Sequence, residues 1–166
     1  IITDTGSFKY SSVTSTTHQI AAFLKDKGLN QVVIHDKIFN QNSVSKINLL
    51  GYALQKIKIE ESVSLALLFL TEKELNMFNY QKGDSEGFVN YCLSIKGIEN
   101  AVFLREDKDI IKISLRSKGK VKVNEFSSKF YEGGGHQNAA GAAVKNQDIN
   151  TVVKELIQNF KVFCSE

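Results

Sequence analysis

The stretch SVSLALLFLT, residues 62–71, constrains the fold more than any other part of the chain. From Leu65 to Leu70 it offers no polar position, so it cannot be one face of an amphipathic element. It is far shorter than the roughly 20 residues a membrane helix needs. Charged residues bound it on both sides, Glu60 and Glu61 before it and Glu72 and Lys73 after it. A short, wholly apolar, strand-forming run of this kind reads as a β-strand buried on both faces. A strand buried on both faces needs cover on both sides of its sheet, which predicts an α/β fold.

The rest of the chain supplies that cover. TSTTHQIAAFLKDKG reads as a helix with a Ser/Thr cap, a shared face of Ile20, Phe23 and Leu24, and Gly28 as its stop. NQVVIHDKIFNQN predicts a short second helix. From Ser43 a longer one follows, with Val44, Ile47, Gly51, Leu54 and Ile57 forming one apolar stripe. EKELNMFN predicts a short helix, and GDSEGFVNYCLSIKG another that starts from an Asp-Ser cap. NAVFLREDKDIIKISLRSKG predicts a hairpin turning at residues 106–109. Its second strand alternates, with Ile111, Ile113 and Leu115 on one face and Lys112, Ser114 and Arg116 on the other. VNEFSSKFY predicts a helix carrying Val123, Phe126 and Phe130 on one side. GAAVK predicts a short strand, and the last helix carries Ile149, Val152, Val153, Leu156, Ile157 and Phe160. The expected organisation is a helical piece over residues 1–58 and an α/β domain over 59–166, built on a mixed β-sheet with flanking helices.

Composition narrows the function classes. A net charge of +3 on 166 residues suits an anionic ligand but is too small for a surface that coats nucleic acid. The two cysteines, Cys92 and Cys164, stand far apart and in no metal spacing, as free thiols in a reducing cytosol do. No membrane attachment is expected, and the expected location is the cytoplasm. The chain opens on IITDTGSF without Met, an apolar run that reads as the end of a strand or its connection. The expectation is therefore a piece of a longer chain, with apolar surface exposed at Ile20, Phe23 and Leu24.

Three places can carry chemistry. In YEGGGHQNAAG, Gly133, Gly134 and Gly135 leave successive backbone N–H groups unshielded before His136. If a helix starts at His136, its positive end and those N–H groups form an anion site. A flexible turn with an exposed histidine is the plain alternative. Arg116 closes the polar face of its strand, followed by Lys118. It is either a bidentate fork for phosphate or a solvated charge at a sheet edge. Asp4, in TDTG, is either a hard-metal ligand or the acceptor of an Asx-turn. His18 and His35 fall in helical segments without a partner at ligand spacing and read as surface or boundary residues.

Together, DTGSFKYS, EGFVNYCLSIKGIENAVFLRE, ISLRSKG and GGGHQNAAG resemble, in content and order, the DHH phosphoesterases. The branch they look most like contains bacterial oligoribonucleases and phosphoadenosine-phosphate phosphatases and is related to the RecJ nucleases and to exopolyphosphatases. The resemblance covers nearly the whole chain. It implies a DHH domain whose C-terminal remnant and linker helix occupy residues 1–58. It also implies a DHH-associated substrate-binding domain over 59–166. It implies Mn²⁺ in the complete protein, with Asp4 as one metal ligand. Arg116, Lys118 and Lys9 would hold phosphate, and Gly133 to His136 would hold the end of the substrate. The implied partner is a short single-stranded RNA or DNA, or a nucleoside phosphate; the alternative is a module that binds nucleic-acid ends without chemistry. These 166 residues contain no Asp-His-His motif, and Lys9 stands where the family commonly has arginine, keeping the charge but not the fork.

Overall fold

A computed structural model describes residues 1–9 and 12–166. They form two compact units, Ile1–Asn42 and Ser43–Glu166.

The first unit holds two helices, α1 (Ser15–Asp26) and α2 (Gln31–Phe39). Thr14 caps α1 in a reciprocal pair with Thr17, and Asn30 caps α2. Gly28, at φ 89°, supplies the left-handed residue that ends α1. Neither helix contains a buried residue. Ile20 and Phe23 are exposed, as expected, while Leu24 lines an apolar cavity of about 490 Å³ with Phe8, Leu29, Ile34 and Ile38. The expected strand end at the start of the chain is absent. Gly6, Ser7 and Phe8 all take positive φ, so Ile1–Lys9 coils through successive turns.

The second unit is built on a six-stranded sheet. Its strands are β1 (Lys58–Glu60), β2 (Leu65–Leu70), β3 (Asn100–Asp107), β4 (Ile110–Ser117), β5 (Gly134–His136) and β6 (Ala139–Lys145), in the order β1-β2-β3-β4-β6-β5. Only β2 and β3 pair in parallel, so the sheet is mixed. Every residue of β2 is buried. Its two faces feed separate cores. Leu65, Leu67 and Phe69 join Val102, Leu104, Ile111, Ile113 and Leu115 beneath α6 (Val123–Tyr131) and α7 (Ile149–Ser165). Ala66, Leu68 and Leu70 join Ala101 and Phe103 beneath α3 (Val44–Gln55), α4 (Glu72–Met77) and α5 (Phe88–Leu93).

Three expectations are corrected. Helix α3, expected with the N-terminal piece up to residue 58, belongs to the second unit, because Leu49 and Ala53 are wholly buried in that second core. Its expected stripe faces outward, with Val44 77 % and Ile47 51 % exposed. The helix is apolar on more than one side, and the other side won the sheet. Helix α5 starts after Gly87, at φ 83°, and not from the Asp-Ser pair; Asp84 instead accepts from the backbone N–H of Gln81 in the preceding turn.

Candidate functional site

Cross-strand register gathers the predicted residues. Directly paired residues share a sheet face. Arg116 pairs with Ala101 on β3 and Ala139 on β6, and Ala139 pairs with His136 on β5. One row therefore reads Ala101, Arg116, Ala139, His136. The next reads Phe103, Ser114, Gly141, Gly134, and the third Arg105, Lys112, Ala143. Strands lie about 4.8 Å apart, so Arg116 and His136 stand about 10 Å apart across a floor of one alanine. Helices α3, α4 and α5 cover this face over β2 and β3, where Ala101 and Phe103 are buried. Over β4, β6 and β5 the same face carries Ile110, Lys112, Ser114 and Arg116, then Ala139, Gly141, Ala143 and Lys145, then Gly134 and His136. The result is an open trough with Arg116 on one wall and His136 on the other.

The glycine run takes a form that the sequence reading missed. No helix begins at His136; residues 134–136 are an edge strand, so the expected helix dipole is absent. The physical reason is the pairing partner, since AAGAAVK offers β5 a ladder. The glycines then divide by role. A Cβ on Gly133 would stand 2.2 Å from Ser127 Oγ, and one on Gly135 2.5 Å from the Ala139 carbonyl, so both are bare for packing. Gly135 also takes φ 143°. A Cβ on Gly134 would meet nothing, and Gly134 shares the face of Arg116. It leaves space above the trough.

The hairpin tip is held in place. Asn138 Nδ2 donates to Ser117 Oγ at 2.8 Å, Ser117 N–H donates to the Asn138 carbonyl, and Val123 N–H donates to the Gln137 carbonyl. These bonds tie the loop of His136 to the residue after Arg116 and to the start of α6. Nothing in the periodicity marked Asn138, because its partner is twenty-one residues away.

Charge in the trough is unevenly committed. Arg105 donates to the Tyr80 hydroxyl, lies 4.9 Å over the Tyr80 ring and pairs with Asp107 at 3.6 Å. Lys112 pairs with the same Asp107, and this hydrogen bond holds the Asp107 carboxyl below its ordinary range. Arg116 is different. Its guanidinium donates to the Leu115 carbonyl, and among the described residues it has no carboxylate partner. A half-buried guanidinium without a counter-ion favours an anion. Lys118 lies past the end of β4, exposed, with its N–H donating to the Glu99 carbonyl.

Asp4 and Lys9 belong to the first unit. Asp4 is 87 % exposed on its side chain and lies 3.9 Å from the terminal ammonium of Ile1. Among the described residues, no group of three or more His, Cys, Asp or Glu side chains converges as metal ligands would. One exposed carboxylate does not fit a two-manganese centre, which needs several ligands to hold both ions. Lys9 is exposed in the terminal turns.

Comparison with known proteins points in one direction. The model of the DHHA1 domain matches residues 62–162. The bifunctional oligoribonuclease and PAP phosphatase NrnA of Thermus thermophilus is 28 % identical over 95 % of this chain and 47 % of its own length. Its namesake in Bacillus subtilis is 28 % identical over 100 % of this chain and 51 % of its own. The crystal structure of an exopolyphosphatase-related protein from Bacteroides fragilis superposes with TM-score 0.92 at 41 % identity, covering 99 % of this chain and 49 % of that one. The chain spans about half the length of the relatives it matches.

Proposed function

The chain belongs to the DHHA1 domain family, and from that premise we propose that it is the substrate-binding part of a phosphoesterase acting on short oligonucleotides or nucleoside phosphates. The observation that carries this reading is the row Arg116–Ala139–His136 with the open space at Gly134 beside it. An uncommitted arginine fork grips phosphate in two parallel bonds. His136 stands across the small-residue floor to donate to phosphate or stack on a base. Lys118 adds charge at the end of β4. The chain's own residues bind and orient the substrate. In this reading the complete enzyme depends on Mn²⁺, and Asp4 and Lys9 contribute there as a metal ligand and a phosphate contact. What the relatives are named for supports the substrate class.

The test is binding of a short 5′-phosphorylated oligoribonucleotide. Arg116→Lys keeps the charge and loses the fork, and is expected to weaken binding by about 1.5–3 kcal/mol, roughly tenfold to a hundredfold. Gly134→Val is expected to weaken it by filling the trough while leaving the fold intact, because a Cβ there meets nothing. Wild-type affinity in both folded variants would sink the reading.

A further inference from the structure

We infer that a cavity next to Arg116, on the side of the hairpin turn, is a second anion subsite that takes another phosphate of the same ligand; this rests on the phosphate reading above. The cavity holds about 280 Å³ and lies between the segment before α5 and the polar face of β3 and β4. Four of its lining residues are cations, Lys82, Arg105, Lys112 and Arg116. Two carboxylates oppose them: Glu86, in the lining, and Asp107, which pairs with both Arg105 and Lys112. The surplus is positive. Three hydroxyls, from Tyr80, Ser85 and Ser114, complete the polar wall. Among the described residues Lys82 and Ser114 make no side-chain hydrogen bond or ion pair, so their donors are uncommitted.

Size and position decide what enters. At about 280 Å³ the cavity lies at the low end of small-molecule sites, roughly 300–1,000 Å³, with room for an anionic group and its water. Committed pairs make it rigid on one side, where Arg105 is clamped between Tyr80 and Asp107. Lys112 lies four residues from Arg116 on the same strand, about 13 Å at 3.3 Å per residue, with Ser114 between them on the row of Gly134. Lys112 is turned toward Asp107 at the hairpin, but Ser114, which also lines the cavity, lies two residues from Arg116, about 7 Å at 3.3 Å per residue, on the order of the span of one nucleoside. A ligand whose first phosphate sits between Arg116 and His136 thus reaches the cavity with a second phosphate one nucleoside away. A nucleoside monophosphate leaves the cavity filled with water.

The experiment is calorimetric titration of the whole chain with adenosine monophosphate and with adenosine 3′,5′-bisphosphate. Wild type is expected to bind the bisphosphate about tenfold more tightly, as one added charge-assisted contact gives. In the double variant Lys82→Ala/Lys112→Met the ratio of the two affinities is expected to fall to about one. Both side chains are largely exposed, and a thermal melt verifies the fold; if the double variant melts early, Lys82→Ala alone is read, with the ratio expected to fall part of the way. A ratio near one in wild type, with binding that Arg116→Ala abolishes, overturns the subsite and leaves the phosphate reading standing. A wild-type ratio that persists in the variant overturns the assignment to this cavity. Failure of either ligand to bind overturns the phosphate reading and the subsite with it.

Discussion

One face of one sheet carries two opposite solutions. Over β2 and β3 it is covered: Ala101 and Phe103 lie under α3, α4 and α5, and Phe88 packs its ring 5.8 Å from that of Phe103. Over β4 the same rows continue as Arg116, Ser114 and Lys112, where α5 and the segment before it stand across a cavity. Over β6 and β5 they continue as Ala139, Gly141 and Ala143, then His136 and Gly134, outside the core that the helices of this face cover. The cover thins where the side chains stop being apolar. A helix needs an apolar surface to bury against, and the polar face of β4 offers little. The covered half stabilises the domain, and the bare half is free to hold a ligand. Stability and binding should therefore separate cleanly along a single row.

The strongest way to break this comparison is to mutate the two neighbours of one row that face each other across its boundary. Phe103→Ala is expected to cost about 3–5 kcal/mol of unfolding free energy, as a buried aromatic does. Ser114→Ala, its direct cross-strand partner, is expected to stay within about 0.5 kcal/mol. Urea unfolding of both variants measures the difference, and similar costs would mean that the bare half is core.

The next effect concerns how the cover is fastened. Glu74 on α4 accepts hydrogen bonds from Tyr52 on α3 and from Lys56 just after it, and closes a capping box with Thr71. Burial pushes its carboxyl up, but bonds from Lys56, the Thr71 backbone and Tyr52 outweigh burial and hold it at about 2, below the ordinary 4.5. A depressed carboxyl stabilises the fold above its unfolded value and loses that contribution as pH falls toward the folded value. Glu74→Gln is expected to cost about 2–3 kcal/mol at pH 7. The gap from wild type is expected to narrow as pH drops from 4.5 toward 2. A gap that stays constant with pH would show that Glu74 acts through packing alone.

The smallest effect sharpens the edge of the bare half. Gly135→Ala must push the Ala139 backbone aside and is expected to cost about 1–3 kcal/mol. Gly134→Ala enters open space at a permitted φ and is expected to stabilise by about 0.4–1 kcal/mol. Thermal melts distinguish the two neighbours, and equal losses would place both glycines in packing.

Much of the covered half was legible beforehand. The buried run at residues 65–70, the hairpin of β3 and β4 and the alternation that sets Arg116 apart follow from local pattern, because side chains alternate along a strand whatever it pairs with. Helix α3 was legible as a helix but not in its orientation. Both Val44/Ile47 and Leu49/Ala53 form apolar stripes, and only contact with β2 chooses between them. The glycine run was legible as special but not as a strand. Three glycines state that side chains are unwelcome, and the reason differs at each one.

The sequence by itself determined most of the strands and helices of the sheet domain, with β5 an exception, which face of β4 is polar, and that Arg116 and His136 are candidates for binding an anion. These are properties of neighbours along the chain. Only the tertiary structure decided that Arg116 and His136 share a row, that Gly134 opens on the trough while Gly133 and Gly135 serve packing, and that Tyr80, Arg105 and Lys112 line a cavity beside them. The physical reason is register. A shift of one residue in the pairing of β4 with β6 would turn every one of these side chains to the other face, and register is set by two cores packed from opposite sides of the sheet.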